Sequence, residues 1–199
     1  MTLLKEFVDI RPGLAMAGRG AGAQPGDWMV RVVDSADIVD DRLHMDGLRN
    51  VLIRQSVRTA AHLLEPWDIL VTARSPSVKV ALVPPGASRT VASTTLLVVR
   101  TADAGTGLAH FLWYYLTSSH GRAEVAARYT TTTIPTLSAR ALGEVPVVVP
   151  PPRDLPRFAD LVEASTASRD AALEAVHARH DVVRDSVISA IAATDREVG

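Results

Sequence analysis

Arginines and short polar side chains gather at the turns between the apolar runs of this sequence. Arg74 and Arg89 each lie in such a turn, and four consecutive threonines follow later, Thr130, Thr131, Thr132 and Thr133. The arginine fork matches phosphate oxygens and guanine edges, and hydroxyl groups donate and accept hydrogen bonds to bases. These residue types favour nucleic-acid contact. For the threonines, closure of a loop by side chain-to-backbone hydrogen bonds explains the same residues equally well.

Catalytic chemistry has no comparable pattern in the sequence. The chain has no cysteine, which excludes thiolate nucleophiles, disulfides and thiolate zinc sites. Its six histidines are scattered without the HxH or HExxH spacing of a metal site. His177 and His180 are three residues apart, for which we favour a solvated or interface pair over a metal site. We therefore predict a non-enzymatic chain, with no catalytic residue, no metal and no cofactor.

The charge is nearly balanced and unevenly placed. The net charge is −1, and 19 of the 21 basic residues are arginine. Six acidic residues lie between Asp27 and Asp46, so the rest of the first 150 residues carries a positive excess. A GC-rich genome also replaces lysine by arginine, so the charge supports nucleic-acid binding only weakly.

The composition predicts a folded cytoplasmic protein without a membrane partner. Hydrophobic residues make up 47% of the chain and charged residues 22%, which suits a packed core. Glu6 and Asp9 interrupt the first apolar residues, unlike a signal peptide. No apolar run approaches the roughly 18 residues that a membrane span needs.

Valine- and threonine-rich runs separated by proline and glycine predict strands, arranged as an antiparallel meander in the middle of the chain. The predicted strands are residues 28–33, 51–53, 68–72, 78–83, 91–100 and 145–149. Residues 107–128 predict two helices broken at Gly121, and Ser138 predicts a helix cap. Residues 11–26 contain five glycines and predict a loop.

The last quarter of the chain predicts one long helix. Residues 156–193 contain no proline after the first and no glycine, and as a helix they span about 57 Å, against about 38 Å for the preceding globule. Apolar residues recur along it with a mean step near the coiled-coil value of about 3.5. This seam contains Phe158, Val162, Ala172, Val176, Val183 and Val187. Ser165, Arg169 and His180 interrupt it. We expect the helix to pack on a partner.

The order of several segments carries a resemblance. The segments are FVDIRPG (7–13), EPWDILVTAR (65–74), VALV (80–83), ASTT (92–95), FLWYYL (111–116), TTIPTLS (132–138) and LGEVPVVVPPP (142–152). In this order and spacing they resemble one half of a type I restriction–modification specificity subunit, namely one target recognition domain and its spacer helix. Trp67 stands where that family usually has glycine. The resemblance implies an α+β target recognition domain with an antiparallel or mixed sheet at 1–152 and a long coiled-coil helix at 153–199.

The same resemblance implies a sequence-specific DNA-binding subunit. It further implies that two copies pair through the C-terminal helix as a homodimer, read a bipartite site in double-stranded DNA, and recruit DNA methyltransferase (modification) subunits. Base contacts are expected from the loops around Arg74, Arg89 and the four threonines. The remaining expected DNA contacts are Arg19, Arg54, Arg58, Lys79 and Arg140.

One alternative stays open on the sequence. The chain could be an interaction or regulatory protein that keeps the fold and pairs with a specificity or modification subunit without reading DNA. The acidic segment between Asp34 and Asp46 favours it, because negative charge opposes the electrostatic attraction to DNA.

Overall fold

Eleven strands and five α-helices lie in the part of the chain that the structure, a computed structural model, describes: residues 2–16, 26–102, 105, 107–131 and 133–197, with side chains to residue 189. The strands are β1 (Thr2–Leu3), β2 (Val8–Pro12), β3 (Asp27–Val33), β4 (Ile38–Val39), β5 (Arg42–Leu43), β6 (Arg49–Arg54), β7 (Ile69–Thr72), β8 (Val80–Leu82), β9 (Thr90–Ala92), β10 (Leu96–Thr101) and β11 (Pro146–Val147). The helices are α1 (Val57–Ala60), α2 (Leu108–Thr117), α3 (Ser119–Ala126), α4 (Ala139–Gly143) and α5 (Leu155–Glu197). The predicted α+β class is confirmed. The predicted loop at 11–26 lies largely outside the described residues.

The strands form two main sheets. One sheet is antiparallel throughout, in the order β2-β10-β7-β8. The other has the order β6-β3-β9, with β3 antiparallel to β6 and parallel to β9. β4 and β5 form a hairpin, and β1 pairs with β11.

The central strands of the four-stranded sheet are buried on both faces. Ile69, Leu70 and Val71 of β7 are inaccessible to solvent, and four consecutive residues of β10 are buried as well. Continuous apolar runs of this kind require cover on both sides of a sheet. On one face, Leu70 and Val98 pack into a core cluster. On the other face, α2 packs against β8 and β10.

A second, smaller core covers the three-stranded sheet. Val30, Val32, Ile53 and Val91 of that sheet pack with Leu14, which continues the chain beyond β2. Gly13 allows this crossing, because a Cβ at that position would lie 2.0 Å from the Ser93 carbonyl oxygen.

The predicted strand at 91–100 is wrong as a single element. It divides into β9 and β10, which belong to different sheets, so the central strands do not form a simple meander. The division falls at residues 93–95, where the Ser93 and Thr95 hydroxyls hydrogen-bond each other at 2.8 Å. Thr95 N–H also donates to the Ser93 hydroxyl at 3.3 Å. Hydroxyl side chains here replace the strand ladder with a local turn.

The predicted pair of helices at 107–128 is present, but the break is not at Gly121. The two helices are separated at Ser118. Its hydroxyl accepts a hydrogen bond from Gly121 N–H at 3.1 Å and so caps α3. Gly121 lies inside α3 and is buried. A Cβ there would approach the Tyr115 carbonyl oxygen to 2.1 Å, so glycine permits the close turn between the two helices.

Trp67 has the left-handed backbone conformation that glycine favours, with φ of 70°. Glycine, the residue expected here from the resemblance, adopts this conformation without strain. The tryptophan ring packs on the buried His110, with 4.5 Å between ring centroids. The next residue, Asp68, accepts hydrogen bonds from Arg100 at 2.6 and 2.7 Å.

The chain divides into two compact units, Met1–Ala159 and Asp160–Gly199. The second unit belongs to α5, a helix of 43 residues and therefore about 65 Å long. Exposed apolar side chains recur on it, among them Leu173 (42%), Val176 (62%), Val183 (56%) and Val187 (52%). None of the described helices is both long enough and apolar enough for a membrane span.

Candidate nucleic-acid interface

The Arg74 turn and the threonine loop lie side by side at one end of the four-stranded sheet. Arg74 forms an isolated antiparallel bridge with Thr136. Leu137 N–H donates to the Ala73 carbonyl at 2.8 Å, and Ala73 N–H donates to the Thr95 carbonyl at 2.7 Å. The structure therefore joins two segments that the sequence predicted separately, and adds the turn between β9 and β10 to them.

Hydrogen bonds inside the threonine loop fix its shape. Thr130 N–H donates to the Thr136 carbonyl at 3.0 Å, and Thr136 N–H donates to the Thr130 hydroxyl at 3.1 Å. Thr130 thus closes the loop, as the loop-closure interpretation expects. The Tyr129 hydroxyl lies 3.0 Å from the Thr72 hydroxyl, which ties the loop to the end of β7. Burial raises the pKa of the Tyr129 phenol, which keeps its proton available for hydrogen bonding.

The exposed residues of these two segments form one surface, which we call the Arg74–threonine surface: Arg74, Thr130, Thr131, Thr133 and Ile134. A guanidinium fork, hydroxyls and an apolar side chain are the groups that read guanine edges, mixed base edges and the thymine methyl. Ile134, 64% exposed, was missed by the sequence reasoning. Its signal is an apolar residue set between a threonine and Pro135 in an otherwise polar loop. Arg19 and Thr132, also predicted contacts, lie outside the described residues.

Most basic side chains of the first 150 residues fall into two groups. The first group is hydrogen-bonded within the fold and consists of Lys5, Arg31, Arg49, Lys79, Arg100, Arg122 and Arg128. The second group is exposed, with no hydrogen bond or ion pair to any residue in the described ranges, and consists of Arg54, Arg58, Arg74, Arg89 and Arg140. All five members of the second group are arginines that the sequence assigned to DNA.

Arg49 is the least firmly held member of the first group. Its only contact of this kind in the described chain is long, with Nη2 at 3.5 Å from the Asp34 carboxylate. Lys5, by comparison, bonds Glu144 at 2.7 Å, and Arg31 donates to the Ser88 carbonyl at 3.1 Å. Arg49 is nevertheless ion-paired, which makes it a suitable comparison for the arginines of the second group.

Lys79 is a predicted DNA contact that the fold uses itself. It is half-buried, and its Nζ donates to the backbone carbonyls of Ser35 at 3.1 Å and Ile38 at 3.0 Å. These bonds hold the start of the β4–β5 hairpin against β8. An ammonium group occupied in this way is not free for phosphate, so we leave Lys79 out of the candidate interface.

The structure separates the remaining predicted contacts from one another. Arg140 lies in α4, which begins directly after the threonine loop. Arg89 occupies the turn before β9, with φ of 50°, and its carbonyl accepts from Arg31 N–H at 2.8 Å. Arg54 pairs with Asp27 at the far end of β3, about 20 Å from its other end at Val33. Arg54 and the nearby Arg58 thus lie together, in a different part of the fold from Arg74.

The acidic segment is largely engaged in structure. Asp41 forms an ion pair with Arg122, which also donates to the Val78 carbonyl at 2.7 Å. The Asp37 carboxylate accepts from Asp34 N–H at 2.7 Å. Carboxylates with partners of this kind shape the chain around the β4–β5 hairpin, and their negative charge is partly compensated.

The predicted seam residues of the long helix differ in exposure. Phe158 is half-buried and packs edge-on against Phe111, with 5.7 Å between ring centroids, and Val162 is buried. Ala172, Val176, Val183 and Val187 are exposed. The exposed part of the seam is therefore its C-terminal two thirds. Within the described residues, no three His, Asp or Glu side chains are placed to hold a metal ion.

Comparison with solved structures shows what this fold resembles. One similar chain comes from a structure that describes complex assembly and conformational transition of a type I restriction–modification system, with a TM-score of 0.60, 19% identity, and coverage of 89% of this chain and 40% of that one. Another is the HsdS subunit from Thermoanaerobacter tengcongensis, with a TM-score of 0.50, 20% identity, and coverage of 86% and 38%. No protein-family model and no curated protein matches the sequence.

The predicted resemblance is thus confirmed at the level of the fold. The chain spans about 40% of the length of the structures it matches.

Proposed function

We propose that this chain is a sequence-specific DNA-recognition subunit of a type I restriction–modification-like system, without catalysis of its own. The observation that carries the proposal is the group of five exposed arginines without partners in the described fold, Arg54, Arg58, Arg74, Arg89 and Arg140. Exposed arginine side chains whose donors are unused within the fold are the groups that contact phosphates and base edges. The likeness in fold to a specificity subunit supports the same conclusion.

The Arg74–threonine surface reads bases in this proposal. Its backbone is held by hydrogen bonds to β7 and to the turn between β9 and β10, so its exposed side chains are presented from a fixed frame. Preorganised side chains lose less conformational entropy on binding. Arg54 and Arg58, at the far end of β3, contact the phosphate backbone and set the orientation of the duplex.

A homodimer supplies the second half of the site. Residues 1–152 act as the recognition domain and 153–199 as the spacer, and two spacer helices pair antiparallel through Ala172, Val176, Val183 and Val187. A two-fold dimer presents two copies of the recognition surface, and so reads a bipartite palindrome with a fixed spacing. Methyltransferase subunits bind this scaffold and flip the target adenine out of the duplex.

The alternative of an interaction protein that does not read DNA rests on the acidic segment. Asp41 is paired with Arg122 and Asp37 accepts a backbone hydrogen bond, so both carboxylates have a structural role. The positive charge of Arg122 offsets that of Asp41, which removes part of the repulsion that favoured this alternative.

A gel-shift experiment tests the proposal. The purified chain is mixed with a pool of random duplexes, with and without an adenine methyltransferase modification subunit. We expect a DNA-dependent shift that the double variant Arg74→Ala/Arg89→Ala weakens and the ion-paired control Arg49→Ala retains. No shift under either condition would contradict DNA recognition and favour the interaction protein.

A further inference from the structure

Arg11 projects from the edge strand of the four-stranded sheet on the same face as Arg100. In the β2–β10 register, Arg11 lies opposite Val98, and Asp9 lies opposite Arg100. Residues directly opposite each other in a sheet project from the same face, as do residues two apart in one strand. Arg11 and Arg100 therefore occupy neighbouring positions on this face.

The segment after α1 crosses the same face. The Leu63 carbonyl accepts from Arg100 Nη2 at 3.0 Å, and Leu63 forms an isolated bridge with Val91. Arg58 and His62 are four residues apart in the turns that lead to Leu63, so they lie on the same side of this segment. His62 directly precedes Leu63, so the hydrogen bond between Leu63 and Arg100 places His62 near the face from which Arg11 projects.

Arg11 has donors that the fold does not use. Its Nε and Nη2 are buried and have no hydrogen-bond partner among the described residues. A partly desolvated cation without a hydrogen-bonded partner is unfavourable, so a negative charge placed beside Arg11 would gain free energy. Arg58 is exposed and has no hydrogen-bond partner in the described chain either.

Arg11 and Arg58 have no ion-pair partner in the described chain, whereas the neighbouring Arg100 has. Arg100 is neutralised by Asp68 and Glu65, with Asp9 also near it, so the nearby carboxylates act on that arginine. The pKa of His62 is lowered by burial first and then by the positive charges of Arg11 and Arg58.

We propose that Arg11, Arg58 and His62 form an anion site for a phosphate group, and that its occupant is a phosphodiester of the DNA backbone. The choice of DNA rests on the proposed function, whereas the site itself does not. Arg58, which is exposed, donates charge-assisted hydrogen bonds to the phosphate oxygens, and Arg11 adds its positive charge beside them. His62 donates a further bond when protonated, and the bound anion favours that protonated form.

Titration with inorganic phosphate tests the site without DNA. The imidazole signals are followed by NMR against pH, and the His62 signal is identified by its loss in His62→Gln. We expect phosphate to raise the pKa of His62 saturably, whereas chloride at equal ionic strength does not. Arg58→Gln should weaken phosphate binding about tenfold or more, since it removes a charge-assisted hydrogen bond at an exposed position on which folding does not depend. An unresponsive His62 would overturn the anion site.

The salt dependence of DNA binding tests the occupant. Arg58→Gln should lower the slope of log K against log salt by about 0.9, the value for one phosphate contact, and Arg49→Gln should not change it. A phosphate response at His62 together with an unchanged slope would overturn the DNA assignment and identify free phosphate as the occupant. If the unchanged chain binds no DNA, the proposed function fails, and the phosphate titration still decides the site.

Discussion

The basic side chains differ in whether the folded chain already binds them through hydrogen bonds or ion pairs. This difference distinguishes candidate DNA contacts better than position in the sequence does. Arg100 and Arg122 are the same residue type as the proposed contacts, but each binds carboxylate and carbonyl oxygens of the fold. Arg74 has no such partner in the described chain. At the scale of single residues, an arginine is a candidate DNA contact when the folded chain leaves its donors unused.

Arg74 should discriminate between bases. If its fork binds a guanine edge, Arg74→Ala lowers discrimination between the selected duplex and a scrambled one by about 1–3 kcal/mol. Fluorescence anisotropy with both duplexes measures the difference, and Arg49→Ala serves as the control. An equal loss of affinity for the two duplexes would reduce Arg74 to a phosphate contact.

Arg122 should stabilise the acidic hairpin. It bonds the Thr117 and Val78 carbonyls at 2.9 and 2.7 Å and pairs with Asp41. Arg122→Met leaves these acceptors without their donor, so we expect a loss of about 1–3 kcal/mol in the free energy of unfolding. Urea denaturation measures it, with Arg54→Met, at an exposed position without a partner in the described chain, as the control. Equal stabilities of the two variants would show that the hydrogen bonds of Arg122 contribute nothing.

At the scale of elements, Gly121 gives a test whose sign distinguishes two explanations. Helix propensity alone expects Gly121→Ala to stabilise α3 by about 1 kcal/mol. The structure places the added Cβ 2.1 Å from the Tyr115 carbonyl oxygen, so we expect destabilisation by about 1–3 kcal/mol. Thermal denaturation measures the sign. Ala123→Gly, on the exposed side of the same helix, should cost about 1 kcal/mol by propensity alone and serves as the control.

Local pattern is enough to predict most elements, since apolar runs and capping residues act over a few residues. The strands at β3, β6, β7 and β8 and the cap at Ser138 follow from such signals. The division at 93–95 could not be predicted in this way, because it depends on hydroxyl pairing and on which sheet each half joins. Glycine usually marks a helix break, so the sequence predicts the break at Gly121. The sequence does not show that this glycine instead permits the close approach of α2 and α3.

The sequence predicts the residue types of the candidate site. It predicts only in part which of these residues the fold brings together. The sequence indicated Arg74 and the threonines, and the cross-chain bridge between Arg74 and Thr136 joined them. Lys79 could not be excluded from sequence, because its carbonyl partners lie more than forty residues away. Arg11 was not identified either, since the burial of its Nε and Nη2 depends on the folded structure and leaves no local sequence signal.

At the scale of the whole molecule, the exposed seam on α5 should determine the oligomeric state. Val176→Glu places a charge in the middle of the proposed helix pair, so we expect it to convert a dimer into a monomer. Light scattering coupled to size-exclusion chromatography measures the mass, which for the dimer is twice the 21.3 kDa of the chain. Ala178→Glu adds the same charge to the opposite side of the helix and should leave the dimer intact. A monomeric unchanged chain would contradict the paired helices.

Selection of duplexes from a random pool by the unchanged chain, with the modification subunit present, tests DNA recognition most directly. The account predicts enrichment of one bipartite palindrome with a fixed spacing, lost on Arg74→Ala. A pool that stays random after repeated rounds, while the chain remains folded, would contradict it.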